Sequence, residues 1–205
     1  MTGDMIPRIG LAAPGPAAAR ARALAERLGE HELVEFVEVA AGREALLAGD
    51  LDLLVLRGES WVPPADPGVE LLAVPRRTAA ADAEPEQGAG PAAPGQGALL
   101  VEGTARLDGR LRRALAKLDH ATSRLAVRSE LGVLARLAPA GGDSLAASAM
   151  LEDGLLFLTA TVLAPDGAAR RTASHAGYPE DFADAAEELA ERVAAELRAG
   201  IAEQG

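Results

Sequence analysis

From residue 78 to residue 97 the chain loses all hydrophobic periodicity: threonine, alanine, aspartate, glutamate, proline and glycine dominate, with neither the alternation of a strand nor the repeat of a helix. Such a stretch is a linker or long loop. A chain of 205 residues can bury its core as one large domain or as two small ones. The break favours two, which we place at 1–110, with the linker inside it, and at 111–205.

Ahead of the break, 7–11 predicts a short strand and 14–28 a helix, with Pro16 near its first turn, Leu24 and Leu28 four apart and Gly29 at the stop. Residues 32–39 alternate through Leu33, Phe36 and Val37 as a second strand. Residues 42–48 form a short helix ended by Gly49. The run 51–56 is apolar except for Asp52, as buried parallel strands are. Strands at 69–74 and 98–102 complete the unit, the latter rejoining the first sheet. Alternating strands and helices imply an α/β layer with right-handed crossovers.

Beyond the break, Leu111, Leu115 and Leu118 share one helical face. Thr122 or Ser123 caps a second helix carrying Leu125, Leu131, Leu134 and Leu137, and Gly141-Gly142 breaks it. Strands follow at 144–152, 155–163 and 168–175, joined by Asp153-Gly154 and Pro165-Asp166-Gly167. Pro179 opens a last helix whose Phe182, Ala186, Leu189, Val193, Leu197 and Ile201 line one stripe. The fold class expected is therefore α/β: a first domain with a mixed sheet and helices, then an α+β domain with a three-stranded antiparallel sheet packed by helices.

Composition excludes several functions. Net charge is −11, from 31 acids and 20 bases, so the basic footprint of a nucleic-acid binder is missing. The absence of cysteine removes disulfides, thiolate zinc sites, iron–sulfur ligation and thiol catalysis. His31, His120 and His175 lack metal-ligand spacing, so no metal is expected. No glycine-rich dinucleotide loop, phosphate loop or nucleophile elbow occurs. No apolar run reaches the roughly 18 residues of a membrane span. The first five residues run into a strand-like segment without a basic start, so a soluble cytoplasmic protein is expected.

The segment Ala93-Pro94-Gly95-Gln96-Gly97-Ala98-Leu99, followed later by Gly141-Gly142-Asp143, resembles the signature turn and cofactor-attachment loop of the hydroxymethylbilane synthase (porphobilinogen deaminase) family. Further matching segments follow in order. They are Arg8-Ile9-Gly10, Leu46 to Leu53, Val74-Pro75-Arg76-Arg77 with Asp82-Ala83, Leu118-Asp119-His120 with Thr122 and Arg124, and Ala164-Pro165-Asp166-Gly167. The resemblance implies three α/β-type domains around a cleft. There a dipyrromethane cofactor, held by a thioether to a cysteine of the third domain, extends to a linear tetrapyrrole as four porphobilinogen units condense and ammonia leaves. It also implies that the middle domain is missing here, because about fifteen residues separate Arg77 from Ala93.

That chemistry needs arginine forks for the substrate's carboxylates, a carboxylate for the developing cation and a thiolate anchor. The family's acid lies in a His-Ser-x-Lys-Asp loop. This chain reads Leu56-Arg57-Gly58-Glu59-Ser60-Trp61, with neither the lysine nor the aspartate in register, Ser60 the nearest match to the acid and Glu59 beside it. Glu59 is either a solvated loop acid or a displaced carboxylate. Ala12 and Pro14 replace an arginine and a serine, and Asp143 replaces the cysteine, as a turn residue or as an ester-forming carboxylate. Arg57, Arg76, Arg77 and Gln96 remain as ligand candidates. Each arginine is alternatively a surface residue, and Gln96 alternatively shapes its turn.

The expectation is a truncated, cysteine-free and catalytically degenerate relative that carries no cofactor and binds a small carboxylate or a protein partner. The rivals are a transferase on pyrroles that uses Glu59 or Asp143, and a non-catalytic helper subunit of a tetrapyrrole enzyme.

Overall fold

Parallel strands joined by helices begin the fold, as the alternation of apolar runs with alanine-rich segments dictates. The computed structural model describes residues 6–77, 92–137 and 143–202. Most of the expected linker, Asp82-Ala83, the helix break at Gly141-Gly142 and the side chain of Ile201 lie outside the described residues.

One unit comprises Met1–Arg77 and Ala98–His120. Its elements are β1 (Arg8–Ala12), α1 (Pro16–Glu26), β2 (Glu32–Glu35), α2 (Val39–Ala48), β3 (Leu53–Arg57), β4 (Glu70–Ala73), β5 (Leu99–Gly103) and α3 (Gly109–Leu118). They form a five-stranded mixed sheet in the order β2-β1-β3-β5-β4. β1 runs parallel to β2 and β3, while β5 is antiparallel to both β3 and β4. Leu53, Leu54, Val55 and Leu56 are fully buried, which accounts for an apolar run without alternation. On one face Ile9, Leu11, Leu53, Val55 and Val101 share a core with Leu24 of α1 and Leu111 and Leu115 of α3.

α2 lies close against Leu54. A Cβ on Gly42 would stand 2.6 Å from Leu54 Cδ1, so a larger residue there would push the helix outward. This helix begins at Val39, three residues earlier than the expected 42–48, and β2 ends at Glu35 instead of reaching Val39. Val37, read as a strand residue, is 88% exposed and has no core to face. α3 shares the first unit's core, so the chain divides after His120, whereas the sequence reading placed the division at 110/111.

The other unit comprises Thr78–Gly97 and Ala121–Gly205. It contains α4 (Ala121–Leu137), β6 (Ser144–Glu152), β7 (Leu155–Leu163), β8 (Ala169–Gly177) and α5 (Ala185–Ala202). The sheet is antiparallel in the order β6-β7-β8. Asp153 and Gly154, at φ 49° and 80°, make the two-residue hairpin that the Asp-Gly pair favours. Alternate residues Leu145, Ala147, Ala149, Leu156, Leu158, Ala160 and Val162 form a core with Ala126 and Val133 of α4 and Leu189, Val193 and Leu197 of α5.

Two later helix starts also differ from expectation. α4 begins at Ala121, so Thr122 and Ser123 lie inside its first turn and neither precedes it as a cap. Asp119 stays extended just ahead, and His120 N–H donates to the Val74 carbonyl at 2.9 Å. Pro179 opens only a 3-10 turn (Pro179–Asp181), and α5 starts at Ala185. Phe182 therefore lies before the helix, its ring against Gly177, where a Cβ would come within 2.4 Å of it.

Asp184 is the cap of α5, its Oδ1 accepting the Glu187 N–H at 3.2 Å. Burial pushes the Asp184 carboxyl upward, but the Glu187 N–H and the Arg128 guanidinium at 2.9 Å outweigh it and hold the group below its usual 3.8. A carboxyl depressed by folding stabilises the native state above its unfolded value, and that contribution disappears as pH falls through the native one. Asp184→Asn is accordingly expected to flatten the acid limb of a urea-denaturation series below about pH 4. Its cost near neutral pH is under about 1 kcal/mol, since the pair is solvent-screened. Among the described residues, no helix is long and apolar enough to cross a membrane.

Candidate functional site

β3 delivers its last residue, Arg57, to the carboxyl edge of the sheet, where the chain turns through the 3-10 segment Gly58–Ser60. Gly58 N–H donates to the Ala98 carbonyl at 2.9 Å, tying the turn to β5's approach. Arg57 reaches forward two residues, donating from Nε at 2.8 Å and placing Nη2 2.6 Å from Glu59 Oε1. Glu59 Oε2 is buried and has no hydrogen-bond partner among the described residues. Ser60 is exposed. The loop thus holds a carboxylate whose charge is already balanced by its own arginine.

Beneath the turn lies a feature the sequence reading missed. Glu102, in β5, is 1% exposed and receives a bidentate fork from Arg43 of α2, Nε to Oε2 at 2.8 Å and Nη2 to Oε1 at 2.6 Å. Trp61 Nε1 donates to the same Oε1 at 3.1 Å, and Arg43 Nη1 donates to the Val62 carbonyl at 2.9 Å. The ion pair spans 59 residues of sequence, so no local pattern announces it.

The other arginine candidates sit after β4. Arg76 Nη2 approaches His120 Nε2 at 3.4 Å on an exposed edge, and Arg77 is half-buried beside it. At the carboxyl ends of β1 and β2, beside Ala12, a depression of about 530 Å³, counting its open mouth, is lined by Leu11, Ala13, Pro14, Ala18, Phe36 and Glu35. Its walls are mainly apolar. Glu35 is ion-paired with Arg22, and the lining includes no arginine or lysine to receive a ligand's carboxylates.

In the second unit, Gln96 is spent on its own turn. Its Oε1 accepts the Ala93 N–H at 3.1 Å, its N–H donates to the Ala93 carbonyl at 3.0 Å, and Gly95 and Gly97 adopt φ of 75° and 77°. Only glycine takes such angles without strain. Glu130 of α4, wholly buried, accepts the Gly95 N–H on Oε2 and the Ala149 N–H on Oε1, each at 2.8 Å. The sequence reading passed over Glu130, although a charge between Ala126 and Val133 in a buried stripe was the available signal.

Asp143 stands directly before β6. Arg170 Nε lies 3.0 Å from one of its oxygens and 3.1 Å from the other, and the aspartate side chain is 18% exposed. This donor set does not fit a thioether-linked dipyrromethane, for it offers no sulfur, and the carboxylate already neutralises a guanidinium. Among the described residues, no group of three histidine, aspartate or glutamate side chains is placed to hold a metal ion.

No protein-family model matches the chain. Curated proteins similar to it include a porphobilinogen deaminase of Leifsonia xyli subsp. xyli (strain CTCB07), 51% identical over 117 residues, which are 53% of this chain and 36% of that protein. A porphobilinogen deaminase of Acidothermus cellulolyticus (strain ATCC 43068 / DSM 8971 / 11B) is 39% identical over 113 residues, 53% of this chain and 33% of that protein. The matched region thus spans about a third of the length of these relatives.

Proposed function

We propose that this chain, a relative of porphobilinogen deaminase over about half its own length, is a cytoplasmic member of that tetrapyrrole-synthesis lineage that does not assemble tetrapyrroles. It carries no covalent dipyrromethane, and it serves by binding a small carboxylate or a protein partner. The observation that carries the reading is the state of Asp143, a carboxylate in place of a thiol and 3.0 Å from Arg170 Nε. Chain growth on a protein anchor requires a nucleophile that forms a stable bond. A thiolate does so, whereas an ion-paired carboxylate has little nucleophilicity and would give at best a labile ester.

The other chemical need is a negative charge facing the cation that forms as ammonia departs. Glu59 supplies a carboxylate in the right loop, but Arg57 balances it at 2.6 Å, so its field toward a developing cation is largely cancelled.

Incubating the purified protein with porphobilinogen tests this. The intact mass should stay unchanged, and the acid-oxidised mixture should develop no porphyrin absorbance above a protein-free control. A mass increase by pyrrole units together with porphyrin absorbance would overturn the reading.

A second reading, a transferase with a rearranged site, has one observation in its favour. Glu59 Oε2 is buried without a partner among the described residues, an acceptor that a pyrrole N–H would satisfy. That reading requires turnover in the same assay and its loss in Glu59→Gln.

A further inference from the structure

We infer that the buried Arg43–Glu102 ion pair is a positioning device for the loop after β3. It holds residues 58–62 against the sheet in one conformation, so the loop is a preformed wall of the candidate site and not a lid that closes over a ligand. The inference takes from the proposed function only the location of that site.

A carboxylate in a sheet interior is costly unless opposite charge and hydrogen bonds compensate it. Glu102 lies in a strand whose five residues are all buried, so its charge must be met from outside the strand. α2 meets it because Gly42 lets the helix sit close to Leu54, which brings the next residue, Arg43, within 2.6 Å of the carboxylate.

The fork then does more than neutralise. Two of its nitrogens are occupied by Glu102, and the third donates to Val62 at 2.9 Å. The indole of Trp61, with its single donor, is bound to the same carboxylate at 3.1 Å. Two consecutive loop residues are therefore held by charged groups that have no other place to go. Retracting the loop breaks two charge-assisted hydrogen bonds, which keeps the open fraction below about one per cent. Gly58, bonded to Ala98 at 2.9 Å, fixes the near end of the same segment.

Trp61 is the sole tryptophan in the chain, so its fluorescence reports on this loop alone. In the full-length protein the emission should be blue-shifted and weakly quenched by acrylamide, with slow amide exchange at 58–62. Arg43→Met should raise the quenching constant several-fold, shift emission to the red and speed exchange across 58–62, while β1 and β3 amides keep their protection. Arg43→Lys, which keeps the charge but loses the fork, should fall between the two.

Where Arg43→Met does not fold, the paired variant Arg43→Met with Glu102→Met restores an apolar interior and should show the same freed tryptophan. A folded variant of either kind with wild-type quenching and wild-type exchange would overturn the inference. Porphobilinogen turnover would sink the proposed function and leave this inference intact, whereas an unmoved Trp61 signal would do the reverse.

Discussion

Glu130→Ala should destabilise the second unit by about 3–5 kcal/mol. Glu130 is wholly buried, and its two oxygens each accept a backbone N–H at 2.8 Å, from Gly95 and from Ala149. Alanine would leave both donors unsatisfied in the interior, at roughly 1–3 kcal/mol each, and add a cavity. Urea denaturation followed by circular dichroism measures the loss.

Glu130→Gln is the informative control. Its carbonyl keeps one acceptor but turns an amide NH2 toward the other donor, so an intermediate loss of about 1–3 kcal/mol is expected. A Glu130→Ala protein within about 1 kcal/mol of wild type would show that both N–H groups find other partners. The consequence reaches the Ala93 to Gly97 turn. With Gln96 Oε1 bonded to Ala93 and the Gly95 N–H bonded to Glu130, both groups serve the turn itself. Gln96→Ala should therefore act on stability rather than on any ligand.

What could be read from sequence follows the range of the interactions involved. β6 at 144–152 and β7 at 155–163 were legible to the residue. Alternation sets the register of β7, and the Asp153-Gly154 hairpin, with its positive φ angles, fixes that of β6 against it. The start of α5 was misplaced because Pro179 is a strong local signal, while the Asp184-Ala185-Ala186-Glu187 pattern of the actual cap was passed over. β5's place between β3 and β4 required pairings from Leu54 to Glu102 and from Leu71 to Glu102 across an intervening aperiodic stretch, and its antiparallel direction had no local mark.

The site divides in the same way. Arg57 and Glu59, two apart, were legible as neighbours, and the structure joins them. Arg43 and Glu102 were not, because nothing near Arg43 distinguishes it from an exposed helix arginine except Gly42, whose meaning depends on Leu54 of another element. Asp143 was read as a replaced cysteine, but the cation that occupies it, Arg170, lies 27 residues away.

The Arg43–Glu102 pair gives the other large effect expected. Removing one partner, by Arg43→Met or Glu102→Leu, strands a charge in the interior and should cost about 3–5 kcal/mol. Removing both should recover most of that loss, because apolar residues of similar volume often replace a buried pair with little cost or some gain, between about 0 and 4 kcal/mol. A double-mutant cycle by urea denaturation measures this coupling.

The double variant separates two reasons for keeping such a pair. If the pair is held for stability, the double variant stays well below wild type once the stranded charge of the singles is relieved. If it is held for position, the double variant regains stability while the indole, which loses its acceptor at 3.1 Å, becomes quenchable. Stability and loop order then part company in one protein, which a purely structural ion pair would not produce.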